Sequence, residues 1–187
     1  MLSDTSIKRK VTNDEITIEP YEPTNVQPTG VDLRIGDRFL RYTNQGGEID
    51  LRGEPTHKTT TRRVRPDEGY CLDPGEFALA TTVERIELPR EVGAITQDRS
   101  SVGRLGLVVQ TAGYVEPGFE GELTLELFNA NKRPIRVYPG TRVCQLILLE
   151  ADKVPDRAYG EKFDSKYQGQ TGPTPSRVDQ DHDHDKR

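Results

Sequence analysis

Residues 135–150 read IRVYPGTRVCQLILLE, with apolar and polar side chains alternating on both sides of a Tyr-Pro-Gly break. Alternation with a period of two places the apolar side chains on one face of a β-strand, and proline followed by glycine is typical of a turn. The pattern recurs in EITIEPY (15–21), VDLRIGDRFLRY (31–42) and EFALATTVERIEL (76–88). These runs predict an all-β fold, a sandwich, barrel or jelly roll.

Turn residues separate the predicted strands at QPTG, DPGE, EPGFEG and NANKRP, and no long amphipathic helix pattern is present. The exception is the amino terminus. Residues 3–12 predict a short helix, because Ser3 is a good N-cap and Leu2, Ile7 and Val11 fall on one side. The chain therefore reads as strands and turns after a single short helix.

The chain has 187 residues, which suits one domain, and its formal net charge is −5. An acidic chain argues against general binding to nucleic acid or a membrane surface, since both need a basic face. The apolar runs are too short to span a bilayer and no secretory signal is visible, so a cytoplasmic protein is expected. Cys71 and Cys144 form no C-x-x-C pair, and a structural disulfide is not expected.

Two polar regions interrupt this pattern. Residues 43–69 include the basic run THKTTTRRVRPDEG and predict a solvated excursion between strands, with a phosphate contact as the alternative. From about residue 152 the chain is polar and rich in glycine and proline, so it cannot form a core of its own. We expect a β domain at 1–154 and a flexible tail at 155–187, whose DHDHDKR end is a solvated terminus or a metal-binding tract.

The run GELTLELFN, residues 121–129, places a carboxylate in the middle of a strand. Leu123, Leu125 and Leu127 share one face by period two, and Glu126 lies on the other. A carboxylate bracketed by apolar residues is costly unless it is paired or functional. A glutamate on a solvent-facing strand surface fits the pattern as well, so both interpretations stay open.

Dense hydrogen-bond donors in DRSSVGR, residues 98–104, favour an anion site over an ordinary surface turn. Arg99 and Arg104 can grip phosphate oxygens in a fork geometry, and the two intervening serines add hydroxyl donors. The run TAGYVEPGFEGE, residues 111–122, contains turns that can wrap a flat ligand or simply close a hairpin.

The sequence lacks the motifs of several other hydrolytic mechanisms. The zinc-dependent nucleobase deaminases combine H-x-E with P-C-x-x-C, and this chain has neither. No G-x-S-x-G motif is present, and two of the three histidines, His182 and His184, lie in the tail. No Ser/His/Asp or Cys/His arrangement can be argued from the third, His57.

Several separated motifs in order resemble the dCTP deaminases, relatives of the trimeric dUTPases. They are QPTGVDLRIGDRF, DRSSVGRLGL, TAGYVEPGFEGELTLEL, RVYPGTRVCQLILLE and SKYQGQTGPTPSR, and the likeness runs from about residue 14 to residue 177. The resemblance implies a distorted β-barrel or jelly roll of the dUTPase-like type. It also implies a homotrimer with sites at subunit interfaces, Mg²⁺ bound with the triphosphate, no zinc, and a tail that closes over the nucleotide.

The resemblance also implies roles for particular residues. Glu126 would be the general acid/base that activates a water for attack on C4 of cytosine. The residues that would contact the substrate are Arg99, Ser100, Ser101, Val102, Gly103, Arg104, Glu116, Thr124, Leu125, Gln145, Tyr159, Lys166 and Gln170.

The same resemblance bears on the product. Gly113 and Tyr114 follow "TA", as is typical of the bifunctional members that continue to dUMP and diphosphate, so we expect dUMP. Two departures lie nearby: Glu116 replaces the usual aspartate, and the LVVQTAG loop is one residue shorter than usual. A deaminase that releases dUTP, a dUTPase and a non-catalytic nucleotide-binding trimer are the alternatives.

Overall fold

The computed structural model describes residues 1–43, 45, 47–51, 58–110, 113–161 and 165–181. Two helices are present, α1 (Asp4–Thr12) and α2 (Ser100–Gly103), with 3-10 turns at Pro23–Asn25 and Val178–Asp181. The strands are β1 (Thr17–Glu19), β2 (Val26–Gln27), β3 (Gly30–Tyr42), β4 (Thr59–Arg63), β5 (Tyr70–Leu72), β6 (Phe77–Glu87), β7 (Val92–Asp98), β8 (Leu107–Gln110), β9 (Tyr114–Val115), β10 (Glu120–Asn129), β11 (Ile135–Val137) and β12 (Arg142–Glu150).

A ten-stranded antiparallel sheet dominates the fold, in the order β8-β10-β6-β3-β12-β7-β9. β1 is added to β6, β2 and β4 are added to β3, and β5 pairs separately with β11. Strand β3 pairs with β12 along its first half and with β6 and β4 along its second. One long strand therefore belongs to two walls, and the sheet curls into half of a barrel. The all-β prediction is confirmed.

The core forms where the inward faces of the curled sheet meet. The fully buried side chains include Leu33, Ile35, Leu125 and Leu146, each 0% exposed. The Phe39 ring stacks on Tyr70 with ring centroids 4.3 Å apart, which attaches the small β5-β11 pair to the main sheet. Period-two alternation thus supplies most of one continuous core, to which Ile7 of the amino-terminal helix and Phe119 of a turn are added.

The amino-terminal helix is confirmed. Ser3 caps α1 by accepting a hydrogen bond from the Ser6 N–H, and Ile7 is buried beneath it. Lys10 is also buried, and its ammonium reaches Glu15 and Glu150 at 3.0 and 3.2 Å. The helix is therefore anchored to the end of β12 by an ion pair as well as by apolar contact. Both cysteines are free, as expected.

One polar region was predicted wrongly. Part of the basic run expected as a solvated excursion forms β4, which pairs with Arg38–Tyr42 of β3. The side chains of β4 are mostly exposed, so no apolar alternation marks it. Residues 59–63 become a strand because their backbone pairs with the free edge of β3. The sequence of residues 59–63 does not show that such an edge lies nearby. His57 lies outside the described residues.

We expect Leu125→Ala to lower the free energy of unfolding by about 2–5 kcal/mol, because it leaves a cavity in the core. Leu51→Ala is the matched control, since Leu51 is 65% exposed and its truncation should be nearly neutral. Chemical denaturation monitored by circular dichroism measures both. Equal, small effects would show that Leu125 does not support the core.

Candidate active site

A cavity of about 420 Å³ opens on the outer face of β10, between the 113–119 turn and the returning carboxyl-terminal chain. Seven of the residues singled out in the sequence line it: Gly113, Tyr114, Glu116, Thr124, Glu126, Tyr159 and Gln170. Thr124 and Glu126 share one face of β10, and that face lines the cavity. Leu125 lies in the core and does not line the cavity, although the resemblance implied a substrate contact for it.

Glu126 lies on the cavity wall, at the point where β10 runs between β6 and β8. Its side chain is half-buried, and burial raises the pKa of its carboxyl above the ordinary glutamate value. No charged neighbour in the described part of the chain offsets that effect. A carboxyl whose pKa lies closer to neutral pH can both accept and donate a proton under working conditions, which is what a general acid/base requires.

Aromatic side chains form much of the remaining wall. The Tyr42 and Phe77 rings lie 6.2 Å apart, and the Phe119 and Tyr159 rings lie 6.0 Å apart. Flat apolar walls with a few polar groups suit a planar ring such as a nucleobase. Sequence reasoning missed several lining residues, which come from distant parts of the chain: Tyr42, Phe77, Phe119, Tyr167, Thr174 and Ser176.

The turn before β10 contributes Tyr114 and Glu116 to the cavity. The pKa of the Tyr114 hydroxyl is raised, first by burial and then by the nearby Glu116 carboxylate. Gly113 has a φ of +78°, a conformation that glycine adopts without strain. The pair Gly113-Tyr114 therefore lines the same cavity as Glu126, where its identity can affect a bound ligand.

Residues 165–177, here called the tail segment, lie across the cavity. The Ser176 N–H donates to the Tyr42 hydroxyl at 3.4 Å, and the Tyr167 N–H donates to the Tyr159 hydroxyl at 3.0 Å. The Thr124 hydroxyl donates to Gln170 Oε1 at 3.4 Å. Polar contacts rather than apolar packing hold this segment, consistent with a chain that lacks a core of its own.

A second polar cluster surrounds Asp32, whose carboxylate is 2% exposed. Arg99 Nε and Arg142 Nη1 lie 3.2 and 3.4 Å from Asp32 Oδ2, and Gln145 Nε2 donates to Oδ1 at 3.3 Å. Two predicted substrate contacts, Arg99 and Gln145, thus share one buried carboxylate. Sequence reasoning missed Asp32 and Arg142, although both lie inside the motifs that carried the resemblance.

The remaining predicted residues divide by location. Ser100, Ser101 and Gly103 form the short helix α2, with Arg104 at its end, and all four are exposed. Val102 packs partly against the core. None of the residues 99–104 lines the cavity in the described chain. Lys166 forms an ion pair with Asp181 at 2.6 Å and does not line the cavity.

Within the described ranges, no three His, Cys, Asp or Glu side chains form a group that could hold a metal ion. His182 and His184 lie beyond those ranges. No helix among the described residues has the length and apolar character needed to cross a membrane.

The family model described as dCTP deaminase-like matches residues 1–151. The chain belongs to the dCTP deaminase-like family. It is 46% identical over 184 residues to a protein of Aquifex aeolicus named "dCTP deaminase, dUMP-forming", covering 97% of this chain and 96% of that protein. A protein of the same name from Persephonella marina is 42% identical over 183 residues, covering 98% and 99%. The family predicted from the motifs is confirmed.

Solved structures support the fold. The 2′-deoxycytidine 5′-triphosphate deaminase of Agrobacterium tumefaciens superposes with a TM-score of 0.61 at 23% identity, over 79% of this chain and 47% of that chain. A mutant dUTPase from phage phi11 of Staphylococcus aureus gives a TM-score of 0.50 at 16% identity, over 80% and 99%. The dUTPase-like fold of the chain is therefore confirmed.

The raised pKa of Glu126 predicts a pH-dependent effect on stability. The unfolded carboxyl ionises near its ordinary value of 4.5, whereas the folded protein keeps it protonated to higher pH. Folding therefore loses stability as the pH rises from the unfolded pKa to the folded pKa. We expect Glu126→Gln to melt at a higher temperature than the wild type at pH 7.

The difference in melting temperature should shrink as the pH falls below that ordinary value, where both states carry a neutral side chain. Calorimetric scans at several pH values measure it. A Glu126→Gln variant that is less stable than the wild type at neutral pH would contradict a desolvated carboxylate.

Proposed function

We propose that the protein deaminates dCTP and then hydrolyses the resulting dUTP to dUMP and diphosphate. The observation that carries this proposal is the half-buried Glu126, with its raised pKa, on the wall of an aromatic-lined cavity. The names of the full-length relatives support the same substrate and product. Such an enzyme would work in the cytoplasm, beside its nucleotide triphosphate pool.

In the first step Glu126 takes a proton from a water molecule while the water oxygen attacks C4 of cytosine. A C–O bond forms, and the carboxyl returns the proton to the departing amino group. The C4–N bond breaks, the proton left on the new hydroxyl moves to N3, and ammonia and dUTP are the products. A carboxyl whose pKa lies above the ordinary value can serve both as base and as acid in one cycle.

In the second step a water molecule attacks the α-phosphorus of dUTP. The bond between the α-phosphorus and the bridging oxygen breaks, diphosphate leaves, and dUMP remains. The donors suited to the phosphates are Arg99, Ser100, Ser101 and Arg104, because guanidinium and hydroxyl groups bind phosphate oxygens well. Gly103 has no side chain, so the backbone there can approach the phosphate groups closely.

Magnesium would accompany the triphosphate and neutralise part of its charge. Mg²⁺ usually binds through phosphate oxygens and water with one or two carboxylates, so a full protein cage is not needed. Asp32 does not supply such a ligand, because its buried carboxylate is already bound by Arg99, Arg142 and Gln145. The phage phi11 dUTPase is described with a structural Mg(II) ion, which supports magnesium in this fold.

The proposed site needs more than one subunit. Arg99 and Gln145 gather around Asp32, whereas Glu126 faces a cavity that the described residues 99–104 do not line. A homotrimer with sites at its interfaces would bring the phosphate donors of one subunit to the cavity of another. Sedimentation would test this assembly directly.

The second reaction distinguishes the proposal from a deaminase that releases dUTP. Gly113 and Tyr114 line the cavity beside Glu116, so the pair that favours the bifunctional activity is in position to act. Glu116 retains a carboxylate where the family usually has aspartate.

A product assay with dCTP and magnesium tests the function. We expect dUMP and diphosphate to appear together, without accumulation of dUTP, when the nucleotides are separated by ion exchange. Accumulated dUTP would identify a deaminase only. If dCTP is inert and dUTP is hydrolysed, the protein is a dUTPase, and if both are inert it is a non-catalytic binder.

Glu126→Gln should abolish turnover and preserve dCTP binding, because the amide fills the same volume but cannot exchange the proton. We expect a loss of at least about 100-fold, the lower end for a general acid/base. Glu87→Gln is the control, since Glu87 is an exposed carboxylate paired with Arg85. Undiminished turnover in Glu126→Gln would remove Glu126 from the mechanism.

A further inference from the structure

The tail segment is attached to the sheet by backbone pairing at one end of β10. Strand β8 pairs with β10 only from Glu126 onward, so that edge of β10 is open at Glu120–Glu122. The Gly169 N–H donates to the Glu120 carbonyl at 2.7 Å, and the Glu122 N–H donates to the Gln170 carbonyl at 3.0 Å. The tail segment therefore extends the sheet by a short parallel bridge.

The Glu122 side chain strengthens this attachment. Its two carboxylate oxygens accept hydrogen bonds from Arg38 Nη2 at 3.1 and 2.8 Å, and Oε2 also accepts from the Gly172 N–H at 2.7 Å. One carboxylate thus joins β3, β10 and the tail segment. The Glu122 side chain is 20% exposed and Arg38 is 37% exposed, so water screens these bonds only in part.

Gly172 is suited to this contact. Its φ is +76°, and a Cβ atom added there would lie 2.7 Å from Arg38 Nη1. Any larger residue would therefore be strained and would push the arginine away from Glu122. The close approach of the tail segment to the ion pair depends on this glycine.

The attached segment closes the cavity that holds Glu126. Gln170 Nε2 donates to the Glu122 carbonyl at 2.7 Å, and the Thr174 N–H donates to the Thr124 hydroxyl at 3.4 Å. Gln170 and Thr174 both line the cavity. Release of the tail segment at Glu122 would therefore open a path from the cavity to solvent.

We propose that Arg38, Glu122 and Gly172 form a latch that retains the dUTP intermediate between the two hydrolytic steps. This inference rests on the proposed function, in which dUTP must stay bound for the second water to attack it. The latch residues are positioning residues, because they act through the tail segment and touch no reacting atom. A closed tail segment also excludes water from the deamination step.

An ion pair that only stabilised the sheet would behave differently. If the pair only joined β3 to β10, removing it would leave the tail segment and the product unchanged. The latch predicts instead that the tail segment opens and that dUTP escapes while dCTP is still consumed. Product partition therefore separates the two roles.

Glu122→Gln tests the latch on the β10 side, and Gly172→Ala tests it on the side of the tail segment. In the Gln variant the charge is lost, and in the Ala variant the added Cβ atom crowds the Arg38 guanidinium and displaces the tail segment. We expect trypsin to cleave after Lys166 about tenfold faster in both, the effect of losing one hydrogen bond to a charged group. Mass spectrometry of the shortened chain identifies the cleavage.

The same variants should raise the dUTP share of the products about tenfold, with dCTP consumption reduced much less. Asp67→Asn is the matched control, because that carboxylate also pairs with an arginine, Arg65, and neither of these two side chains bonds to the described tail segment. A chain ending after Glu161 gives the upper limit of dUTP release. Unchanged cleavage after Lys166 would overturn the latch, and faster cleavage without dUTP release would overturn its role in retention.

Failure of the proposed function is recognised separately. If the wild type makes no dUMP from dCTP, the proposed function and the retention role are both rejected. The cleavage experiment needs no turnover, so it still decides whether these three residues hold the tail segment.

Discussion

Partial burial of the Glu126 carboxylate costs free energy, because the charged form loses water contacts. Apolar burial elsewhere in the same strand must offset that cost. The neighbouring leucines of β10 do so by pointing into the core, where Leu125 and Leu127 are completely buried. Period-two geometry links the two effects, since each leucine that turns inward turns a polar neighbour outward. One face of the strand thus packs into the core, while Thr124 and Glu126 on the other face line the cavity.

Two carboxylates on the same face of β10 differ because their surroundings differ. Glu122 is bound by Arg38 and by the Gly172 N–H, so its charge is compensated and it serves to hold the tail segment. Glu126 lacks such a charged partner among the described residues, and burial raises its pKa. Environment rather than residue type therefore distinguishes the compensated charge of Glu122 from the raised pKa of Glu126.

The tail segment illustrates how a polar chain becomes part of a site. Its length contains few apolar side chains, and it cannot fold alone. An open strand edge supplies backbone partners, and Glu122 supplies one charged acceptor. Contacts of this kind are few enough to break and re-form, which would suit a segment that admits substrate and releases product in the proposed reaction.

Much of the fold could be predicted from local pattern. The alternating runs predicted the long strands β3, β6, β10 and β12, and Ser3 marked the start of α1. The strand β4 could not be predicted in this way, because it is polar on its exposed side and follows the free edge of β3. Local pattern reports which face of a strand is buried, but not which partner lies beside its backbone.

The candidate site shows the same division. The sequence by itself determined the strand that carries Glu126, the turn that carries Tyr114 and the motifs shared with the dCTP deaminase-like family. Only the tertiary structure decided that Tyr42 and Phe77 complete the cavity, that Asp32 gathers Arg99 and Gln145, and that Glu122 meets Gly172. These contacts join residues far apart in the chain, and they depend on strand register and sheet curvature, which no local pattern encodes.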